Sequence, residues 1–147
     1  MSRLRNPALR KQAAEAVDAG VDLSGALVAQ TQRSHYFCGK TFGEIARTQK
    51  KTIGEAVIDV LLASDGRVTI FLDAISEENV VRGIAHAHAM ISSNGAGCSV
   101  DRCSAENIEH PRSFGAFARA WDLYVTKQNI LTPQEMIHKS TGKVAEA

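Results

Sequence analysis

Arg112 is a candidate for recognising a carboxylate. Its guanidinium fork can hold a carboxylate through two parallel hydrogen bonds, and it lies in the run His110-Pro111-Arg112-Ser113-Phe114-Gly115. The same group could instead pair with Glu106 or Glu109 in the loop before it. Asn94-Gly95 is the dipeptide of a tight turn, since both residues tolerate positive φ. A carboxamide cannot take up and release a proton near neutral pH. Asn-Gly is also prone to deamidation, which would place a carboxylate at position 94 and would show as a mass increase on incubation. His86-Ala87-His88 has a zinc-ligand pattern if it lies on a strand, where alternate residues share a face. It falls at the end of an expected helix, however, where the two side chains diverge. Cys98 and Cys103 lack a second ligand pair and read as ordinary thiols, and nothing marks Cys38 for redox work. Gly39-Lys40-Thr41 has the ending of a phosphate-binding loop, but Ser34 stands where that motif needs its first glycine. No Gly-x-Ser-x-Gly nucleophile elbow occurs.

The elements that must position these residues are marked by their caps. Asn6-Pro7 opens a helix, because the asparagine side chain can accept an orphan N–H and the proline has none to leave unpaired; Gly20 stops it. Residues 26–29 are a short apolar run, read as a buried strand. Thr41 with Glu44 and Thr52 with Glu55 form two capping boxes. The second opens a helix burying Ile53, Ala56, Val57, Val60 and Leu61, and Ser64-Asp65-Gly66 ends it. Residues 67–72 are β-branched and aromatic and predict a strand, after which Ser76 caps a helix with Glu77 and Glu78 at its positive end. Residues 89–92 predict another strand. A long polar loop over 93–112 then leads to a helix containing Phe117, Trp121, Leu123 and Tyr124, and Thr132-Pro133 with Glu135 opens the last one. Strands alternating with helices predict an α/β fold of right-handed βαβ units with a parallel sheet.

Two of these segments together resemble the C-terminal signature of the zinc-dependent N-acyl-D-amino-acid deacylases (D-aminoacylases) of the amidohydrolase superfamily. The first, Met90-Ile91-Ser92-Ser93-Asn94-Gly95, is similar to that family's strand ending in Ser-Asp-Gly. The second, residues 110–119, is similar to its His-Pro-Arg-Ser-Tyr/Phe-Gly-Thr-Phe-x-Arg block. Upstream, residues 36–46 are similar to the family's Gly-Lys/Arg-x-Leu-x-Glu-Ile-Ala, and residues 131–142 to its helix ending in Lys-Met-Thr. Val144-Ala145 replaces the usual Pro-Ala.

The resemblance covers about the last three-quarters of the chain. It implies parallel βα units from the C-terminal part of a TIM-like β/α barrel, forming a single partial domain over residues 1–147 that is incomplete on its own. It implies hydrolysis of the linear amide of an N-acyl-D-amino acid. The family's catalytic aspartate, which moves the proton of the metal-bound water, corresponds to Asn94, substituted here. Arg112 and His110 correspond to substrate-binding positions, Arg112 gripping the α-carboxylate. Zinc is the family's cofactor, but its ligands lie on earlier strands that have no counterpart here. No metal is therefore expected on this chain alone, and the isolated chain is expected to be inactive. Because closure of such a barrel needs about eight strands, a complementary barrel segment or self-association is expected to cover the exposed edges. The alternative is a non-catalytic α/β binding or interaction module derived from such an enzyme.

Composition restricts the partners. With 147 residues, 44% of them apolar, and a formal charge of +1, the chain can form a globular domain, and its neutral balance argues against a nucleic-acid partner. Arg3, Arg5, Arg10 and Lys11 make the N-terminus locally basic, which fits a solvated helix face. No apolar run has membrane-spanning length and no signal-peptide pattern occurs, so the expected location is the cytoplasm. Three unevenly spaced cysteines are expected to stay reduced there.

Overall fold

The computed structural model describes residues 3–147. It is a mixed helix-and-strand structure with two compact units. The first comprises residues up to 73 together with 99–109, the second 74–98 and 110–147.

In the first unit, helix α1 (Pro7–Asp18) starts as the Asn6-Pro7 pair predicts, with the Asn6 side chain accepting from Ala8 and Leu9 N–H. Strand β1 (Leu27–Thr31) follows, then α2 (Phe42–Gln49), α3 (Ile53–Ala63) and strand β2 (Val68–Phe71). Both expected capping boxes are formed: Thr41 and Glu44 at α2, Thr52 and Glu55 at α3. Asp65, at φ 53°, and Gly66 end α3, the Gly66 N–H returning 2.8 Å to the Leu61 carbonyl. The core gathers Ala26 and Val28 of the first strand region, Phe37, Phe42, Ile45 and Ala46 around α2, and Ala56, Val57 and Val60 of α3. The three- and four-residue spacing seen in the sequence is the spacing of this buried stripe.

The sheet corrects the expected parallel arrangement. β1 and β2 run antiparallel, pairing Leu27 with Phe71, Val28 with Ile70, Gln30 with Thr69 and Thr31 with Val68, with a bulge between Val28 and Gln30. A single crossover helix would bring the chain back to the starting end and make the second strand parallel. Here the connection holds two helices, each with its own capping box, so the chain reverses once more and enters β2 from the opposite direction. The far edge of β1 is covered by other segments: Val28 exchanges hydrogen bonds with Gly39 and Lys40, and Ile108 N–H donates 3.2 Å to the Ala29 carbonyl. Part of the expected polar loop thus returns to flank the sheet.

Two close contacts fix the helices. Gly54 lies so near α1 that a Cβ there would sit 2.1 Å from the Ala14 carbonyl oxygen, and its N–H donates 2.6 Å to Asp18 Oδ1. Asp59 of α3, whose side chain is largely buried, pairs with both Arg10 of α1 and Lys51. Lys11 reaches Glu15 at 3.8 Å along α1. The basic N-terminal residues Arg10 and Lys11 are therefore engaged in intramolecular pairs.

The second unit contains α4 (Glu77–Ala85), α5 (Arg112–Ala120), a π-helical continuation over Trp121–Lys127, α6 (Pro133–Ser140) and the short α7 (Gly142–Ala145). Ser76 caps α4, and Thr132 with Glu135 forms a third capping box at α6. Its core is small: Val125, Leu131 and Met136, with Ile91, Ala120 and Ile130 packed against them. The strand expected over 89–92 does not form, and its Ile91 N–H goes to the end of α6 in place of a neighbouring strand. Ile91 N–H donates 3.0 Å to the Lys139 carbonyl. The Lys139 ammonium, on a side chain only 6% exposed, donates 2.5 Å to the His86 carbonyl, and Lys143 donates to that of Ala87.

Tyr124 is buried in this unit, and burial, followed by its hydrogen bond to Glu77, raises its phenol above the ordinary value near 10. A raised folded-state value favours the neutral phenol. The second unit is therefore expected to keep this stability below pH 10 and to lose it as pH rises further, when only the unfolded chain ionises freely. Thermal unfolding followed across that alkaline range should show the loss in the wild-type chain and a shallower one in Tyr124→Phe. Equal slopes would refute the assignment. No helix among the described residues is long and apolar enough to cross a membrane.

Candidate functional site

Asn94 and Arg112 both belong to the second unit, on segments with different local causes. At Asn94 the backbone enters the left-handed region, φ 46°, where asparagine is among the least strained of the non-glycine residues. Two serines build the approach: Ser92 Oγ accepts from Asn94 N–H at 3.4 Å and Ser93 Oγ from Gly95 N–H at 3.2 Å. These are side-chain turns of the kind in which serine competes with regular structure, which is a further reason why the preceding strand does not form. The asparagine therefore has a conformational role whatever its chemistry.

At Arg112 the chain turns from Pro111 into α5. His110 substitutes for a side-chain N-cap. Its carbonyl accepts the Ser113 N–H at 2.9 Å and its ring Nδ1 accepts the Arg112 N–H at 3.1 Å. An accepting Nδ1 places the proton of the neutral ring on Nε2. The structure thus gives His110 a capping function besides the substrate-binding position expected for it. Arg112 projects into solvent as the first residue of the helix and makes no ion pair among the described residues. The sequence left open a pairing of Arg112 with Glu106 or Glu109; the Glu109 carboxylate accepts instead from Gln30 Nε2 at 3.2 Å.

The two segments meet at one contact. A Cβ built on Gly95 would lie 2.9 Å from Ser113 Cα, closer than real side chains approach backbone, so the turn after Asn94 rests directly on the first turn of α5. Sequence reading saw Gly95 only as half of a turn. Its close approach to Ser113 is what sets the turn at Asn94 against the helix start that carries the histidine cap and the arginine. The helix start can offer a carboxylate the Arg112 fork. The carboxamide of Asn94, on the turn that rests on it, cannot act as a base.

The other candidates do not join this contact. His86 and His88 follow α4 in a turn with ring centroids 5.7 Å apart. His86 Nδ1 already accepts the His88 N–H at 3.2 Å, leaving it unavailable to a metal. Among the described residues no three His, Cys, Asp or Glu side chains gather as a metal site, so the residues present do not fit zinc. The three cysteines are free thiols, Cys38 lying 3.6 Å from Thr31 Oγ1. Lys40 lies over the Tyr36 ring at 3.2 Å, a cation–π contact that gives this residue of the Gly39-Lys40-Thr41 run a structural use. A groove of about 540 Å³ in the first unit is lined by polar residues including Gln30, His35, Arg67 and Asn107. One of about 450 Å³ in the second lies between the π-helical turn and α6.

Comparison of the chain with protein-family models, with curated proteins and with solved structures returned no match.

Proposed function

We propose that this chain is the C-terminal segment of a zinc-dependent N-acyl-D-amino-acid deacylase-like hydrolase, acting on linear amide C–N bonds, and that it is inactive by itself. The observation that carries the reading is the contact of Gly95 with the backbone of Ser113. It joins the Ser-Asn-Gly and His-Pro-Arg segments, which the resemblance pairs and which lie well apart along the chain. In this reading the helix start keeps substrate recognition and lacks chemistry. Arg112 holds the α-carboxylate of an N-acyl-D-amino acid, and His110 sets the first turn of the helix that carries it. Asn94 stands where a proton-transferring aspartate would be needed. Zinc would polarise the amide and activate water, but its ligands would have to come from a complementary barrel segment, which would also supply the remaining parallel strands.

A second reading, a non-catalytic binding or interaction module derived from such an enzyme, is favoured by a different observation. Phe114, Phe117 and Trp121 form an exposed apolar stripe at helical spacing along α5 and its continuation. A complementary segment or a second protein would cover it.

The test is a zinc-supplemented hydrolysis assay on N-acetyl-D-amino acids, run beside a binding titration with the same ligands. The chain alone is expected to bind without turnover, to bind about tenfold more weakly as Arg112→Ala, and to ignore ligands whose carboxylate is amidated. Turnover by the wild-type chain alone would sink the account of Asn94 and of the missing metal ligands. Turnover confined to Asn94→Asp mixed with a complementary barrel segment would support the enzyme reading. Binding without turnover in every mixture would favour the module.

A further inference from the structure

Among the described residues no strand pairs with the outer edge of β2, and its own sequence leaves that edge unguarded. Val28 directs its N–H and C=O to Lys40 and Gly39, away from β2. Ile70, opposite it in the antiparallel ladder, is therefore turned outward too, as the residue of a non-hydrogen-bonded pair. Arg67, three residues earlier, faces inward, its carbonyl accepting the Gln32 N–H at 3.3 Å. Alternation then sends the backbone groups of Val68, Ile70 and Leu72 to the outer edge. Ile70 and Leu72 are exposed. Exposed edges ordinarily carry a charge, a proline or a bulge that blocks pairing, and residues 68–72, Val-Thr-Ile-Phe-Leu, contain neither a charge nor a proline. The one bulge of the sheet lies in β1. The charges stand just outside, Arg67 before the run and Asp73 after it. Both are exposed, and neither has an ion-pair partner among the described residues.

We propose that a second copy of this chain pairs antiparallel along this edge, about a two-fold axis at Ile70, extending the two strands into a continuous four-stranded sheet. The axis is chosen by charge. Centred on Ile70, the pairing sets Val68 opposite Leu72, Thr69 opposite Phe71, and Arg67 opposite Asp73 of the second copy, and the two-fold repeats each pair. Moving the centre to Phe71 sets Arg67 opposite Ile75 and Asp73 opposite Thr69, and moving it to Thr69 sets Arg67 opposite Phe71 and Asp73 opposite the like charge of Asp65. Ile70 then meets its own copy through the outward N–H and C=O groups, as a hydrogen-bonded pair. Each Arg67–Asp73 pair lies across adjacent strands at the distance where opposite charges stabilise and like charges repel. A single interface of this kind closes on itself and stops at two copies.

Sedimentation equilibrium of the full chain over a range of concentrations tests this. The expected result is a reversible dimer of twice the chain mass. Arg67→Asp and Asp73→Arg should each weaken it about tenfold, because two symmetry-related pairs become repulsive, and the double variant Arg67→Asp/Asp73→Arg should restore it. Ile70→Pro, which deletes an outward N–H and leaves the β1 ladder intact, should abolish the dimer with unchanged circular dichroism. A monomer at every concentration would overturn the proposal, as would larger aggregates in place of a dimer. A dimer indifferent to both the charge reversals and Ile70→Pro would overturn it equally. These positions belong to the first unit and Asn94, His110 and Arg112 to the second, so the oligomeric state is read separately from ligand binding.

Discussion

Gly54→Ala is expected to destabilise the first unit by about 3 kcal/mol and to lower its melting temperature by about 15 °C. The added methyl would lie 2.1 Å from the Ala14 carbonyl oxygen. That oxygen is backbone within α1, so relief cannot come from a side-chain rotation, and α1 and α3 must move apart. Separation also stretches the 2.6 Å bond from Gly54 N–H to Asp18 and the pairing of Arg10 with Asp59, which span the same two helices. Asp59 would then keep only Lys51, and a mostly buried carboxylate that loses a partner adds to the penalty. Thermal and urea unfolding of the variant would measure the loss. A change within about 0.5 kcal/mol would mean that the helices do not cross at Gly54. Alanine favours helix over glycine by about 1 kcal/mol, so a destabilised variant would show that crowding outweighs propensity.

Gly95→Ala is expected to cost about 1–3 kcal/mol in the second unit and to weaken carboxylate binding about tenfold. Here the obstructing atom is Ser113 Cα, again backbone, at 2.9 Å. The turn after Asn94 must lift off α5, or the first turn of α5 must shift. Either movement disturbs the His110 cap and the position of Arg112. Amide hydrogen exchange should report faster opening over the first turn of α5, and the titration with N-acetyl-D-amino acids should report the loss of affinity. Wild-type exchange together with wild-type affinity would show that the turn does not rest on the helix, and the observation carrying the proposed function would fall. Loss of protection without loss of affinity would separate the packing from the recognition.

The two variants also show where sequence reading stops. Helix starts were legible because a cap is a local agreement between residues three apart. Thr41 with Glu44, Thr52 with Glu55 and Thr132 with Glu135 each satisfy their own backbone donors within one turn, and the Asn6 side chain does the same for Ala8 and Leu9 N–H. The strands at 27–31 and 68–71 were legible because apolar and β-branched runs between turn residues have few other uses. Strand direction was open to the same reading, since two capping boxes between two strands already imply two helices and an antiparallel return. The expectation of parallel units followed the alternation of element types instead of counting the helices. Residues 89–92 failed for a different reason. Their apolar pattern fits a strand, but a strand needs a neighbour to accept its hydrogen bonds. What Ile91 meets is the Lys139 carbonyl, which takes its N–H, while the Lys139 and Lys143 ammonium groups hold the carbonyls of His86 and Ala87 just before the segment.

For the candidate site, sequence determined the chemical types: a guanidinium at 112, an imidazole at 110, a carboxamide at 94, and no local cluster of metal ligands. Those follow from residue identity and need no fold. Tertiary structure alone decided which of them meet. Gly95 touches Ser113, 18 positions later, with no intervening pattern to announce it. His110 caps the helix that Arg112 begins, while His86 is bound to its own neighbour. Contacts of this kind depend on how closely two backbones approach, and backbone approach is set by packing over many residues. The short-range rules that write a cap or a turn into sequence carry no information about it.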